Sequence, residues 1–139
     1  MTEESTTPDL VGLVRRLNEA INRRDIDAVE SFYAQDAVCV GTELAAFEGA
    51  AAIRGFYEDA YRSYDDLHFE IEEITDLGDG VTFVVLIITG HLVGSSGQEL
   101  RTRFGIAGAW SEGVIEREAR YMDIDAARAA AERLAEERR

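Results

Sequence analysis

Lysine is absent from the 139-residue sequence, in which all 14 basic residues are arginine. A mechanism that forms a Schiff base on a lysine side chain is therefore excluded for this chain. Cysteine occurs once, at Cys39, so the chain cannot form an internal disulfide, which suits a reducing compartment. Cys39 lies in the apolar run 37–40, and we interpret it as a small buried hydrophobe rather than a reactive thiol.

Long apolar runs and positive net charge are also missing. The longest apolar run, Val81 to Ile88, is too short to span a bilayer, and residues 1–9 are polar and acidic, unlike a signal peptide. A formal net charge of −14 would repel a phosphate backbone or an anionic membrane surface. We therefore expect neither nucleic acid nor a membrane as partner, and we predict a cytoplasmic protein.

The N-terminal half has the apolar spacing of helices. Residues 1–8 contain the only proline and are interpreted as a short disordered leader, with residues 9–139 forming a single domain. Apolar residues at three- and four-residue spacing predict helices at about 9–21, 26–34 and 50–64, with a short strand at 36–40. Asp9 is a plausible N-cap for the first helix.

The C-terminal half changes to the period of strands. Strands are predicted at about 67–72, 81–93, 99–110 and 114–122, separated by Gly-containing turns and followed by an Ala- and Arg-rich helix from Asp123. Helices segregated from consecutive strands with short turns favour an α+β fold with an antiparallel meander over a parallel doubly wound sheet.

The strand at 81–93 is apolar on both faces, so both faces of the sheet should be covered. The helices can cover one face. A second subunit is the natural cover for the other, and the small residues Gly105, Ala107 and Ala109 would allow its close approach. The pattern therefore predicts a homodimer through the sheet face.

Three segments resemble the SnoaL-like, nuclear-transport-factor-2-like superfamily, which includes the ketosteroid isomerase-like fold. They are residues 17–29, residues 47–57 with Phe-Glu-Gly before Ile-Arg-Gly-Phe-Tyr, and residues 110–126 with the Tyr-x-Asp exit into a helix. The resemblance implies a curved antiparallel sheet packed on three helices around a pocket, plus a C-terminal helix. It also implies a small, mainly apolar organic ligand and usually a homodimer. Family members include isomerases, polyketide cyclases, epoxide hydrolases, dehydratases and proteins without catalysis.

The catalytic residues of the ketosteroid isomerases do not carry over. Their oxyanion-hole tyrosine falls at Leu17, their general-base aspartate at about Gly41 and their protonated aspartic acid at about Ile106. Two supporting tyrosines of the family do match, at Tyr33 and Tyr57. The acid/base aspartate of the polyketide cyclases falls on an arginine, which cannot exchange a proton at neutral pH.

Strand alternation in the family register predicts which side chains share the pocket. The inward set comprises Ile87, Thr89, His91, Thr102, Phe104, Ile106, Glu116, Glu118, Arg120 and Met122. His91, Glu118 and Arg120 are the candidate catalytic residues, in which His91 would act as acid or base, Arg120 would stabilise an anion and Glu118 would orient them. The candidate substrate-binding residues are Tyr33, Tyr57, Thr89, Thr102, Phe104, Ile106, Trp110 and Met122, with Glu43 also at the pocket mouth.

An alternative interpretation leaves the pocket without chemistry. Glu118 and Arg120, two residues apart on one strand, could form a solvated ion pair while Ile115 and Tyr121 face the core, and His91 could be a satisfied core histidine. Two function classes therefore stay open: a cofactor-free lyase, isomerase or hydrolase acting on a polyketide-, steroid- or terpenoid-like substrate, and a non-catalytic ligand-binding or dimerisation module. Neither metal-ligand spacing nor a phosphate-binding loop appears, so no metal and no cofactor is predicted.

Overall fold

Three helices lie in the N-terminal half of the chain in the computed structural model, which describes residues 9–41, 47–94 and 97–139. They are α1 (Leu10–Arg23), α2 (Ile26–Ser31) and α3 (Ala50–Ser63). As predicted, Asp9 caps α1, accepting a hydrogen bond from the Gly12 amide at 3.1 Å. The helix buries its apolar stripe, Leu10, Val14, Leu17, Ala20 and Ile21. Glu43 and the leader residues 1–8 lie outside the described residues.

Two predicted boundaries are wrong. The second helix ends at Ser31, and strand β1 (Tyr33–Gly41) begins two residues later, inside the segment predicted as helical. Strand β3 (Tyr64–Gly78) begins directly after α3, whereas the sequence pattern predicted that it would begin at residue 67. Tyr33 is therefore a strand residue, paired with the last strand of the sheet.

The strands form one mixed sheet, which confirms the α+β class. After β1 come β2 (Phe47–Glu48), β3, β4 (Val81–Leu92), β5 (Glu99–Ser111) and β6 (Val114–Tyr121). Their spatial order is β2-β1-β6-β5-β4-β3. The β1–β6 pair is parallel and the other pairs are antiparallel. The parallel pair joins the N-terminal half of the chain to the meander, which places Tyr33 and Cys39 beside β6.

The two faces of the sheet bury separate apolar cores. On one face, Val84, Leu86 and Ile88 of β4 pack with residues of α1 and α3. On the other face, the alternate residues Val81, Phe83 and Val85 pack against α4 (Ile124–Glu137). Strand β4 is thus covered on both faces, as its composition predicts.

Helix α4 of the same chain covers the second face. A Cβ atom at Gly105 would lie 2.5 Å from the Cβ of Ala127 in α4. The small residues of β5 do permit close approach, but the approaching surface is an Ala-rich helix of the same chain. These small residues are already buried by α4, so they do not form the partner contact that the sequence pattern suggested, and the homodimer itself stays a prediction.

The end of α4 is tied to two hairpins. The Nη1 of Arg138 donates to the carbonyl oxygens of Asp79 at 3.0 Å, Gly80 at 3.2 Å and Trp110 at 3.0 Å. A guanidinium group presents several donors in a fixed plane, so it can serve carbonyls that converge from different strands.

In the described part of the chain, no helix is both long enough and apolar enough to cross a membrane.

Because α4 lies so close to Gly105, even the methyl side chain of alanine at this position is expected to lower the stability of the protein. Replacing Gly105 by Ala should lower the free energy of unfolding by about 1–3 kcal/mol, since the new methyl group overpacks the contact with α4. Chemical denaturation measured by circular dichroism checks this.

The matched control is Gly55→Ala in α3, where an added Cβ meets no atom within 4 Å. This change should raise the free energy of unfolding by about 0.5–1 kcal/mol through helix propensity. Equal responses of the two variants would contradict the packing described at Gly105.

Candidate active site

A buried ion pair on β6 forms the centre of the candidate site. Glu118 is 6% exposed, and the side chain of Arg120 is 13% exposed. The Nη2 of Arg120 lies 3.2 Å from the Oε1 of Glu118. The interpretation of these residues as a solvated ion pair is wrong, since both face the core, while Tyr121 packs on the opposite face with the α4 cluster.

Two tyrosines extend the pair into a network. The hydroxyl of Tyr33 in β1 lies 3.4 Å from each carboxylate oxygen of Glu118. The hydroxyl of Tyr57 in α3 accepts a hydrogen bond from the Nη2 of Arg120 at 3.1 Å. Burial, reinforced by the charge of Glu118, raises the pKa of Tyr33, and burial raises the pKa of Tyr57 although Arg120 opposes it. Both side chains are therefore neutral hydroxyl donors at physiological pH.

Aromatic rings enclose the guanidinium of Arg120. Its central carbon lies 5.4 Å from the ring centroid of Phe56 and 5.8 Å from that of Phe104. Burial disfavours the charged form, but Tyr57 and Glu118 outweigh this and hold the pKa of Arg120 above its ordinary value. Arg120 is thus a permanent cation, and its cation–π contacts with the two aromatic rings stabilise it.

Cys39 is part of this network, a contact that the apolar run around it does not indicate. It is buried, and its Sγ lies 3.6 Å from the Oε1 of Glu118. Burial, followed by the charge of Glu118, raises the pKa of the thiol. A thiol that stays protonated is a poor nucleophile, which agrees with the interpretation of Cys39 as a small buried residue.

A narrow cavity lies between α1, α3 and the sheet, beside Glu118. Its volume is about 40 Å³. The wall is mainly apolar, as is usual for small-molecule sites. It is formed by Val14, Leu17, Asn18, Ile21, Tyr33, Tyr57, Ile71, Thr82, Val84, Leu86, Ile106, Gly108, Trp110, Ile115 and Glu118.

His91 does not join Glu118 and Arg120, so this expectation is wrong. Its side chain is 47% exposed, and its Nδ1 lies 3.0 Å from the Oδ2 of Asp66 on β3. The even-numbered residues of β4, such as Val84 and Leu86, face the cavity, and the odd-numbered positions face away from it. Ile87 and Thr89, also predicted inward, share this outward parity with His91.

Glu116 also differs from its predicted orientation. Trp110 pairs with Ile115 while its neighbour Ala109 pairs with Arg117, so Glu116 is an extra residue in β6. This irregularity resets the alternation, which lets Ile115 and Glu118 face the same cavity. Glu116 is exposed, with a carboxylate oxygen 3.7 Å from Arg138.

The predicted substrate-binding residues divide into two groups. Tyr33, Tyr57, Ile106 and Trp110 line the cavity, and Phe104 contacts Arg120 beside it, so their role in substrate binding stays a prediction. Thr102 and Met122 lie outside the lining, with the Oγ1 of Thr102 4.0 Å from the Sδ of Met122. Met122 is 52% exposed, so its predicted place in the pocket is wrong.

Two polar lining residues were missed. The indole Nε1 of Trp110 donates to the Oγ1 of Thr82 at 3.0 Å, inside the long apolar run of β4. The amide Nδ2 of Asn18 donates to the carbonyl of Phe69 at 3.0 Å. A signal for Asn18 was available, because it follows Val14 by four residues and precedes Ile21 by three, within the apolar stripe of α1.

Among the described residues, no three His, Cys, Asp or Glu side chains are grouped as they would be around a metal ion. The chemistry that this site can supply from its own side chains is proton exchange and hydrogen bonding, through Glu118 and the two tyrosines.

The chain belongs to the SnoaL-like domain family, whose model matches residues 14–118. No curated protein matches the sequence. Among solved structures, it is similar to a hypothetical protein with a ketosteroid isomerase-like fold from Catenulispora acidiphila, determined in complex with trimethylamine. The two share 18% identity and a TM-score of 0.72 over 91% of this chain and 95% of the other.

Two further solved structures have the same fold. One is a proposed polyketide cyclase from Xanthomonas campestris, at 24% identity and a TM-score of 0.68, with 84% of this chain and 91% of the other covered. The other is an LEH-like epoxide hydrolase from M. tuberculosis, at 13% identity and a TM-score of 0.68, with 87% of each chain covered. At these identities the likeness establishes the architecture, and function has to be argued from the site.

The two buried tyrosines predict a loss of stability in alkali. Below pH 10 both are protonated in the folded and unfolded states, and they contribute no pH dependence. As the pH rises past 10, the unfolded chain loses these protons before the folded chain does, so stability falls by up to about 1.4 kcal/mol per pH unit for each tyrosine. Urea denaturation between pH 8 and pH 11 measures this fall.

The double variant Tyr33→Phe, Tyr57→Phe should show a shallower fall over the same range, since phenylalanine does not ionise. Tyr64→Phe at the start of β3, where the side chain is only partly buried, serves as the control. An unchanged slope in the double variant would contradict the neutral state assigned to the two hydroxyls.

Proposed function

We propose that the chain binds a small, mainly apolar organic molecule in this cavity and that Glu118 exchanges a proton with it. The observation that supports this is the buried carboxylate of Glu118 at the cavity wall. Reactions of this type include isomerisation, elimination and hydrolysis of substrates with a carbonyl, carboxylate or epoxide group. The polyketide-, steroid- or terpenoid-like class fits the apolar wall.

The neighbours of Glu118 suit this role. Arg120 compensates the buried negative charge, which would otherwise be costly in an apolar wall. The 3.4 Å distances from the Tyr33 hydroxyl to both carboxylate oxygens are long for a hydroxyl donor, whose usual distance is about 2.7–2.8 Å. This donor is weakly engaged, so it can turn to a substrate oxygen on which negative charge develops.

The assignment changes the roles expected from the sequence. In the prediction from the sequence, His91 exchanges the proton with the substrate, and Glu118 orients the His91 side chain. With His91 exposed and paired to Asp66, the carboxylate itself is the group at the cavity wall, and Arg120 is the residue that positions and balances it.

A second candidate function is non-catalytic binding in the same cavity. One observation favours it: the carboxylate of Glu118 already has Tyr33, Cys39 and Arg120 as neighbours, so it can serve as a structural anchor between β1 and β6. Under this candidate, the network holds the wall of a binding site and no proton is transferred to the ligand.

A Glu118→Gln variant separates the two candidates. The probe reactions are deuterium exchange at the α-carbon of cyclohexanone in D₂O and ring opening of cyclohexene oxide, both followed by NMR. Under the proposed function, the wild type accelerates at least one of them, and Glu118→Gln loses about 10²–10⁴-fold of that rate because the proton acceptor is gone.

The matched control is Glu116→Gln, an exposed glutamate on the same strand, which should keep the wild-type rate. If cyclohexanone binds in the cavity but neither reaction exceeds the buffer rate, the binding function is supported and the catalytic proposal is refuted.

A further inference from the structure

The side-chain oxygen of Asn18 has no hydrogen-bond partner within the described residues, although it is buried. Asn18 belongs to the cavity lining, on the wall that α1 contributes. A buried acceptor without a donor raises the free energy of the folded state, and such atoms are uncommon in native proteins. This oxygen therefore requires an explanation.

The orientation of the Asn18 amide follows from its surroundings. Its Nδ2 donates to the carbonyl of Phe69 at 3.0 Å. Asn22, one turn further along α1, donates to the same carbonyl at 2.9 Å and accepts from the Phe69 amide at 2.8 Å. A flipped Asn18 amide would set its oxygen against the Phe69 carbonyl, so the nitrogen faces β3 and the oxygen is the atom left for a ligand.

The other polar groups of the wall have partners within the protein, although the Tyr33 hydroxyl holds its partner only weakly, at 3.4 Å. Trp110 donates its indole hydrogen to Thr82, and Glu118 lies among Tyr33, Cys39 and Arg120. A wholly apolar ligand, or one that only accepts hydrogen bonds, would leave the Asn18 oxygen unsatisfied. A ligand with an O–H or N–H group would satisfy it.

We propose that Asn18 determines specificity in this cavity by selecting ligands that carry a hydrogen-bond donor. The class is a mainly apolar molecule with a hydroxyl, amine or amide N–H group, in addition to any group that reacts. This inference rests on the proposed function, since it assumes that the cavity binds a small organic molecule. The inference adds to that function the requirement that the bound molecule directs an O–H or N–H donor towards Asn18 on α1.

The narrowness of the cavity supports this selection. The cavity volume is about 40 Å³, and the side-chain oxygen of Asn18, a residue of its wall, is buried. A ligand that enters must displace parts of the wall. A donor group compensates for this displacement by satisfying the oxygen, whereas a ligand without a donor gains nothing at that position.

Two ring compounds of nearly equal size test the inference. Cyclohexanol can donate a hydrogen bond, and cyclohexanone can only accept one. NMR titration of methyl groups in the cavity wall locates both probes and gives their dissociation constants. The wild type should bind cyclohexanol about tenfold more tightly than cyclohexanone, as expected for one neutral hydrogen bond to an otherwise unsatisfied buried oxygen.

The Asn18→Leu variant replaces the amide by an apolar group of similar size. This variant should reduce the preference for cyclohexanol over cyclohexanone to within about twofold. The change should come mainly from weaker binding of cyclohexanol, since the hydrogen-bond acceptor is lost. Asn22→Leu is the matched control, because it removes hydrogen bonds to the same Phe69 backbone but no oxygen of the cavity wall. It should keep the wild-type preference even where it lowers thermal stability.

Three results would overturn the inference. Equal binding of both probes by the wild type would mean that the oxygen is satisfied by water only. An unchanged preference for cyclohexanol in Asn18→Leu would mean that another residue determines the selectivity. Loss of the preference in Asn22→Leu as well would mean that the selectivity depends on the packing of α1 against β3 and not on the Asn18 oxygen. In all three cases the part of the proposed function that concerns binding is unaffected, because the probes bind, and the proton exchange by Glu118 is tested separately by the Glu118→Gln variant. If neither probe binds, the proposed function fails together with the inference.

Discussion

The salt bridge between Glu118 and Arg120 is the interaction on which the candidate site depends. Two opposite charges lie in an apolar wall, where either one alone would be costly, and each is compensated by the other and by a tyrosine hydroxyl. The groups come from β1, α3 and β6, so the network also joins the helical layer to the sheet. An acidic group can face the cavity here because its charge is balanced from behind.

Much of the architecture could be predicted from the sequence, because periodic apolar spacing reports which residues are buried. The α1 stripe, the meander and the family resemblance all agree with the structure, and so does the shared orientation of Glu118 and Arg120, two residues apart on one strand. The orientation of His91 could not be predicted, since β4 is apolar on both faces and its pattern does not distinguish inside from outside. The extra residue Glu116 depends on pairing with β5, which is a long-range property.

The outer face of the sheet illustrates a second limit of sequence patterns. Small residues such as Gly105 indicate that something approaches closely, but they do not identify what approaches. The Ala-rich helix at the end of the chain supplies that surface through Ala127 and its neighbours. Both a partner subunit and a helix of the same chain satisfy the requirement for burial, and only the tertiary structure decides between them.

The hydrogen bonds of Arg138 connect the outer helix to the inner wall. The guanidinium binds the backbone carbonyl of Trp110, while the indole of the same residue reaches Thr82 at the cavity. The last turn of α4 thus helps to place a side chain that lies on the far side of the sheet. Trp110 is thus a residue of two layers, with its backbone fixed from the outer helix and its side chain forming part of the cavity wall.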